Sequence, residues 1–156
     1  MTLEEKSRFI SNNLFFLLAN LSENSTPAWG KMDARQMLEH LNDFFEVSTE
    51  KIVFPLSTPE EHLPKYREFL YSEKVFRENT KAPAAVLGEE PLAWRNQTLD
   101  EALSQLKGTV DDFFGYFKTS SDKKTLHPVF GVLNYDEWIM LHYKHVMHHL
   151  KQFNLV

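Results

Sequence analysis

Four of the chain's seven histidines, His142, His145, His148 and His149, fall within the stretch "LHYKHVMHHLKQF", residues 141–153. Neutral imidazole is the commonest protein ligand for divalent transition metals, so spacing decides whether these rings can share an ion. Successive residues of a helix turn by about 100°. With His145 set at zero, His149 falls at about +40°, His142 at about +60° and His148 at about −60°. Ile139, Val146, Leu150 and Phe153 cluster at about 80–140°, so His145 and His149 share a stripe beside the apolar seam.

Side chains four apart stand one above the other on a helix, so both imidazoles of the pair can reach one ion. A third ligand must then come from another helix facing the same seam. His40, in "QMLEHLNDF", lies between Met37 and Phe44 on the apolar side of its segment. His40, His145 and His149 would make a three-nitrogen site with open coordination positions, the arrangement of catalytic rather than purely structural sites. Nickel or zinc suits such donors first, and iron or manganese next. The ion would lower the pKa of a bound water or thiol, creating a nucleophile at neutral pH. Gln36 and Asp43 flank His40, and Gln152 flanks His149, at spacings that could orient the imidazoles. Asp43, Glu39 and His142 are candidates for proton transfer, but no spacing singles one out as catalytic. His62 reads as a loop residue, and His127 as part of the turn before the last helix.

The elements that must position these residues follow from periodicity. Helical segments are predicted over Leu3 to Leu21, Asp33 to about Ile52, Thr98 to the stretch "TSSDKK", and Asn134 to about Phe153. Asp33 with Gln36, Thr98 with Glu101, and Asn134 with Glu137 each have the spacing of a capping box. Four such helices in a single domain spanning residues 1–156 predict an all-α four-helix bundle, with a long crossover between helices 2 and 3. That crossover, residues 53–97, holds five of the seven prolines. "KYREFLYSEKVFR", Lys65 to Arg77, is expected to add a short helix, and "APAAVLGEEPL" to be extended. The crossover either only connects the helix pairs or roofs a pocket.

Composition narrows the function further. The 17 Lys and Arg against 22 Asp and Glu give a net charge of −5, with no basic run, so nucleic acid is not an expected partner. The absence of cysteine removes thiolate ligands and thiol nucleophiles from the chain, and any thiolate must arrive with a substrate. Thirteen phenylalanines imply a bulky aromatic core. "LFFLLANL" is too short to cross a bilayer, and "MTLEEKSR" lacks a cationic leader, so a cytoplasmic protein without a membrane partner is expected. A haem or di-iron centre is disfavoured, because the Glu-x-x-His pairs of bundle helices are missing.

"PAWGKMDARQMLEHL" together with "HPVFGVLNYDEWIMLHYKHVMHHLKQF" resembles the DinB/YfiT-like superfamily, closest to a branch of small bacterial domains of unknown function. The likeness covers nearly the whole chain and is most specific in "HPxFGxLxxxEW" followed by "HxxHHLxQF". It implies a four-helix bundle with a divalent metal near one end. One histidine comes from the second helix and two, spaced H-x-x-x-H, from the last: here His40, His145 and His149. It also implies thiol-dependent chemistry on a small-molecule substrate. This would be S-transfer from a low-molecular-weight thiol, or glutathione- or mycothiol-dependent isomerisation, in a protein that is often a homodimer. Fold likeness speaks to the site more than to the reaction. The competing expectation is a non-catalytic bundle with structural histidines, acting as a binding or dimerisation module through aromatics such as Trp29 and Trp94.

Overall fold

The computed structural model describes residues 1–80, 87–88 and 90–156. Most of "APAAVLGEEPL" therefore lies outside the described residues. The chain begins with α1 (Leu3–Arg8), which continues through a π-helical turn (Phe9–Asn13) into α2 (Leu14–Leu18). Thr2 and Glu5 cap it reciprocally, a capping box at the N-terminus that the expected Leu3–Leu21 helix did not include. The helix closes at Leu18, one turn short of that expectation. Ile10, Leu14 and Leu18 are buried, while Leu17 and Leu21 lie only at the edge of the core. The π turn inserts an extra residue into the helical repeat, which rotates the apolar stripe and moves it from Leu17 to Leu18.

The second helix, α3 (Ala34–Ser48), starts at Asp33, whose carboxylate accepts from the Gln36 amide at 2.8 Å. A 3₁₀ turn (Glu60–His62) leads into α4 (Leu63–Tyr71), with Pro64 in its first turn, where the missing amide costs nothing. This is the short crossover helix expected from Lys65, shifted towards the N-terminus and ending six residues earlier. The long helix α5 (Leu99–Thr119) starts at Thr98, whose hydroxyl accepts from Glu101 N. Glu101 itself reaches the amide of Gln97, so only half of the expected capping box forms there. The last helix, α6 (Tyr135–Gln152), has the full Asn134–Glu137 box.

One element departs from the all-α expectation. Thr125–His127 (β1) and Gly131–Leu133 (β2) form an antiparallel two-stranded hairpin, with Thr125 opposite Leu133 and His127 opposite Gly131. The architecture is therefore mostly helical with a small two-stranded sheet. Gly131 takes a left-handed φ of +82°, costly for other residues, and a Cβ there would stand 3.3 Å from the Leu63 side chain. Three-residue strands are too short for alternation to be visible in a sequence.

Helix α3 packs along α5 and also touches α6 and β1, while α1 and α4 lie against α6. Phe113 is fully buried, with Phe45 edge-on at 5.7 Å and Phe117 at 5.3 Å, and Trp138, Leu106 and Val146 are likewise fully buried. Core aromatics of this size contribute several kcal/mol each when fully buried. Five of the thirteen phenylalanines, Phe44, Phe45, Phe113, Phe114 and Phe117, lie on α3 and α5. Among the described residues no helix is long and apolar enough to cross a membrane.

Candidate metal centre

Helix α3 carries His40 on its face towards α6, and α6 carries His145 and His149 one turn apart. The Nε2 atoms of His40 and His145 lie 2.9 Å apart, and those of His145 and His149 3.1 Å. One ring nitrogen from each of the three lies within 4.8 Å of the others. Among the described residues no other group of three His, Asp or Glu side chains converges in this way. The helical stripe read from the sequence and the inward placement of His40 thus meet at one point.

The tautomer of His149 follows from its neighbour. Its Nδ1 lies 2.7 Å from Gln152 Oε1, and Gln152 Nε2 donates to the Trp29 carbonyl at 2.9 Å. The amide oxygen can only accept, so Nδ1 carries the proton and Nε2 presents a lone pair to the centre. Burial lowers the pKa of all three imidazoles. His40 is pushed down to about 4, with a further contribution from His148. His145 and His149 are held well below the usual imidazole range, first by desolvation and then by the neighbouring histidines. Neutral imidazole is the metal-binding form, so the three rings are ready as ligands at neutral pH. Phe44, one turn beyond His40, presents its ring to His40 at 5.2 Å and to His145 at 5.4 Å, making an apolar wall.

Of the flanking groups expected to orient the ligands, Gln152 does so and the other two do not. Gln36 closes the Asp33 cap and donates to the Leu92 carbonyl. Asp43 forms a two-pronged ion pair with Arg95, at 2.8 and 3.0 Å. Glu39 is buried and accepts from the backbone amides of Arg95 and Asn96 and from the Asn96 side chain. Both carboxylates serve as anchors for residues 95–96. A sequence shows that they adjoin His40 but not that the crossover returns to that side of α3.

The remaining histidines separate by environment. His142 is buried, stacked on Phe45 at 3.8 Å, and shares a 3.1 Å hydrogen bond with Ser48 Oγ. Ser48 Oγ donates to the Phe45 carbonyl, so Nε2 of His142 is the donor and the residue is part of the core. His148 borders the site, edge-on to His149 at 5.0 Å and near Trp29 and Phe76 at 5.4 and 5.9 Å. His127 lies in β1 rather than in a turn, where its Nδ1 accepts from the amides of Val129 and Phe130. Its role there is to close the hairpin. His62 is an exposed residue of the crossover, at the start of α4.

The aromatics singled out for an interface are partly committed within the chain. Trp94 is exposed but stacks on the Arg35 guanidinium at 3.7 Å and donates to Asp33, while Trp29 lies beside His148. The crossover does approach the site, through Phe76 against His148. A cleft of about 530 Å³ lined by Phe114, Phe117, Lys118 and Tyr135 lies near the other end of α6 and includes no histidine.

No curated protein and no solved structure matches the chain. A family model matches residues 11–155, a span that begins within the π turn and takes in His40, His145, His149 and the Gln152–Trp29 contact. The chain belongs to that family, described as Protein of unknown function (DUF1569).

Proposed function

We propose that the chain is a divalent-metal-dependent enzyme acting on a small molecule, built as a DinB/YfiT-like four-helix bundle and working as a cytoplasmic homodimer. The observation that carries this reading is the convergence of three imidazole nitrogens, at 2.9 and 3.1 Å about His145 Nε2. Such a group is poorly satisfied by itself. With a lone pair on His149 Nε2, the central N–H of His145 can serve only part of the set, and rings aimed at one another repel otherwise. A cation among them relieves this, and His40, His145 and His149 are the residues that would hold it. Nickel or zinc suits three imidazoles ahead of iron or manganese.

A divalent ion bound there supplies Lewis acidity and lowers the pKa of a water or thiol ligand. The chain's own residues define what can enter. Phe44 sets an apolar ring against His40 and His145, and Gln152 holds His149 in its ligand tautomer. Glu39 and Asp43 are tied to residues 95–96, so neither is offered as a further ligand to the ion. Because the chain has no cysteine, a thiolate in that role belongs to a low-molecular-weight thiol. S-transfer or isomerisation on such a thiol is the reaction class this reading takes.

Protein purified without a histidine tag or added metal is expected to contain about one transition-metal ion per chain. Loading chelated protein at about 100-fold above Kd should add about 2.7 kcal/mol, raising Tm by about 5–10 °C. His40→Ala should abolish stoichiometric binding. Metal far below one per chain, with no rise in Tm on addition, would return the histidines to a structural role in a non-catalytic binding module.

A further inference from the structure

We propose that the Trp29–Gly30 segment is a positioning element for His149, acting through the side-chain amide of Gln152. The proposal rests on the metal reading for its purpose, though not for its geometry. The Trp29 carbonyl accepts from Gln152 Nε2 at 2.9 Å, which fixes which end of the amide faces the loop. The other end, Oε1, is then the atom 2.7 Å from His149 Nδ1. A flipped amide would set its oxygen against the Trp29 carbonyl oxygen, two acceptors in contact. A loop carbonyl outside the bundle helices thus decides the protonation pattern of a ring in the centre.

Two features build the segment for this task. Ala28 N donates to the backbone carbonyl of Gln152 at 2.7 Å, so the loop grips the residue by its main chain as well as its side chain. Gly30 has a φ of +81°, and a Cβ there would stand 3.0 Å from Gln152 Nε2. Only glycine meets both demands without moving the amide. The "PAWGKM" stretch therefore supplies the loop end of a relay that runs from Trp29 through Gln152 to His149. Gly30, Trp29 and Gln152 are positioning residues, and none of them needs to touch a substrate.

The test uses ¹⁵N-labelled full-length protein, first stripped of metal by a chelator. Long-range ¹H–¹⁵N correlation spectra should show His149 protonated at Nδ1 in the wild type. Gly30→Ala should convert it to a mixture of tautomers, and zinc affinity, measured against a competing chromophoric chelator, should fall about 10–100-fold. Gly30→Asn keeps a residue that tolerates left-handed φ while adding the Cβ, so it should reproduce the effect; an effect confined to Gly30→Ala would trace to backbone strain and overturn the proposal. Gly108→Ala, where a Cβ meets nothing within 4 Å, should leave tautomer and affinity unchanged. An unaltered His149 tautomer in the Gly30 variants overturns the proposal whatever the metal result. A tautomer change in those variants, in a wild type that binds no zinc, supports the positioning role and defeats the metal reading instead.

Discussion

His142 and His149 occupy the same helix and meet different surroundings. The first is stacked between Phe45 and Trp138 at 3.8 and 5.2 Å, and the second faces two other imidazoles across a gap. His142→Phe should preserve the stacking and lose only the bond to Ser48, whose hydroxyl still has the Phe45 carbonyl as acceptor. A stability change within about 1.5 kcal/mol and undiminished metal content are expected, from urea denaturation and metal analysis. His145→Phe should eliminate bound metal; equal metal loss in both variants would erase the distinction drawn between them. A pH effect follows from His40, whose folded pKa is depressed from 6.5 to about 4. As pH falls through 6.5 the unfolded chain takes up a proton that the folded chain refuses, so stability present above pH 6.5 is lost towards pH 4. Metal-free protein should be about 2 kcal/mol less stable at pH 5 than at pH 7.5 from this residue alone. Identical urea midpoints at the two pH values, with chelator present, would refute it.

At the scale of elements, the carboxylate of Glu39 fastens the end of the crossover to α3. Its removal leaves the amides of Arg95 and Asn96 without their acceptor and frees Arg95 from one of two acidic partners. Glu39→Ala should cost about 2–4 kcal/mol and open residues 92–98 to limited proteolysis, while zinc affinity stays within about threefold of wild type. A large loss of affinity would mean that the crossover, not α3 alone, aligns His40. The starts of α3, α5 and α6 were legible because capping is local: Asp33, Thr98 and Asn134 all accept from the amide three residues on. Helix ends were less so. The second helix was expected to fade near Ile52 and stops at Ser48, and the π turn in the first has no local signature. The 125–133 hairpin escaped because its stability comes from contacts such as Thr125 Oγ1, which donates to the Ser48 carbonyl and accepts from Trp138 Nε1. Those partners lie too far along the chain for local patterning to reveal.

Across the whole molecule, the convergence of the histidine trio was legible and much of its support was not. His145 and His149 are four apart on one stripe, so periodicity alone brings them together, and the apolar flanks of His40 turn it inward. Gln152 was visible as a neighbour of His149, but Trp29 enters from a loop 123 residues away. The positions of Gln36 and Asp43 suggested the same service, and the returning crossover claims both. Tertiary closure, rather than local pattern, makes that choice.

The pairing of His40 with His145 spans 105 residues, and this separation sets when an ion can be captured. A chain emerging from the ribosome has His40 on a helix long before α6 exists. The late pair at 145 and 149 can hold an ion only weakly until α6 docks on α3. On the metal reading, tight capture would follow the docking of α6 on α3, and a misassembled copy would be left empty. Bound metal would then serve as a certificate of completed folding, with loading during synthesis expected only after α6 has emerged and packed.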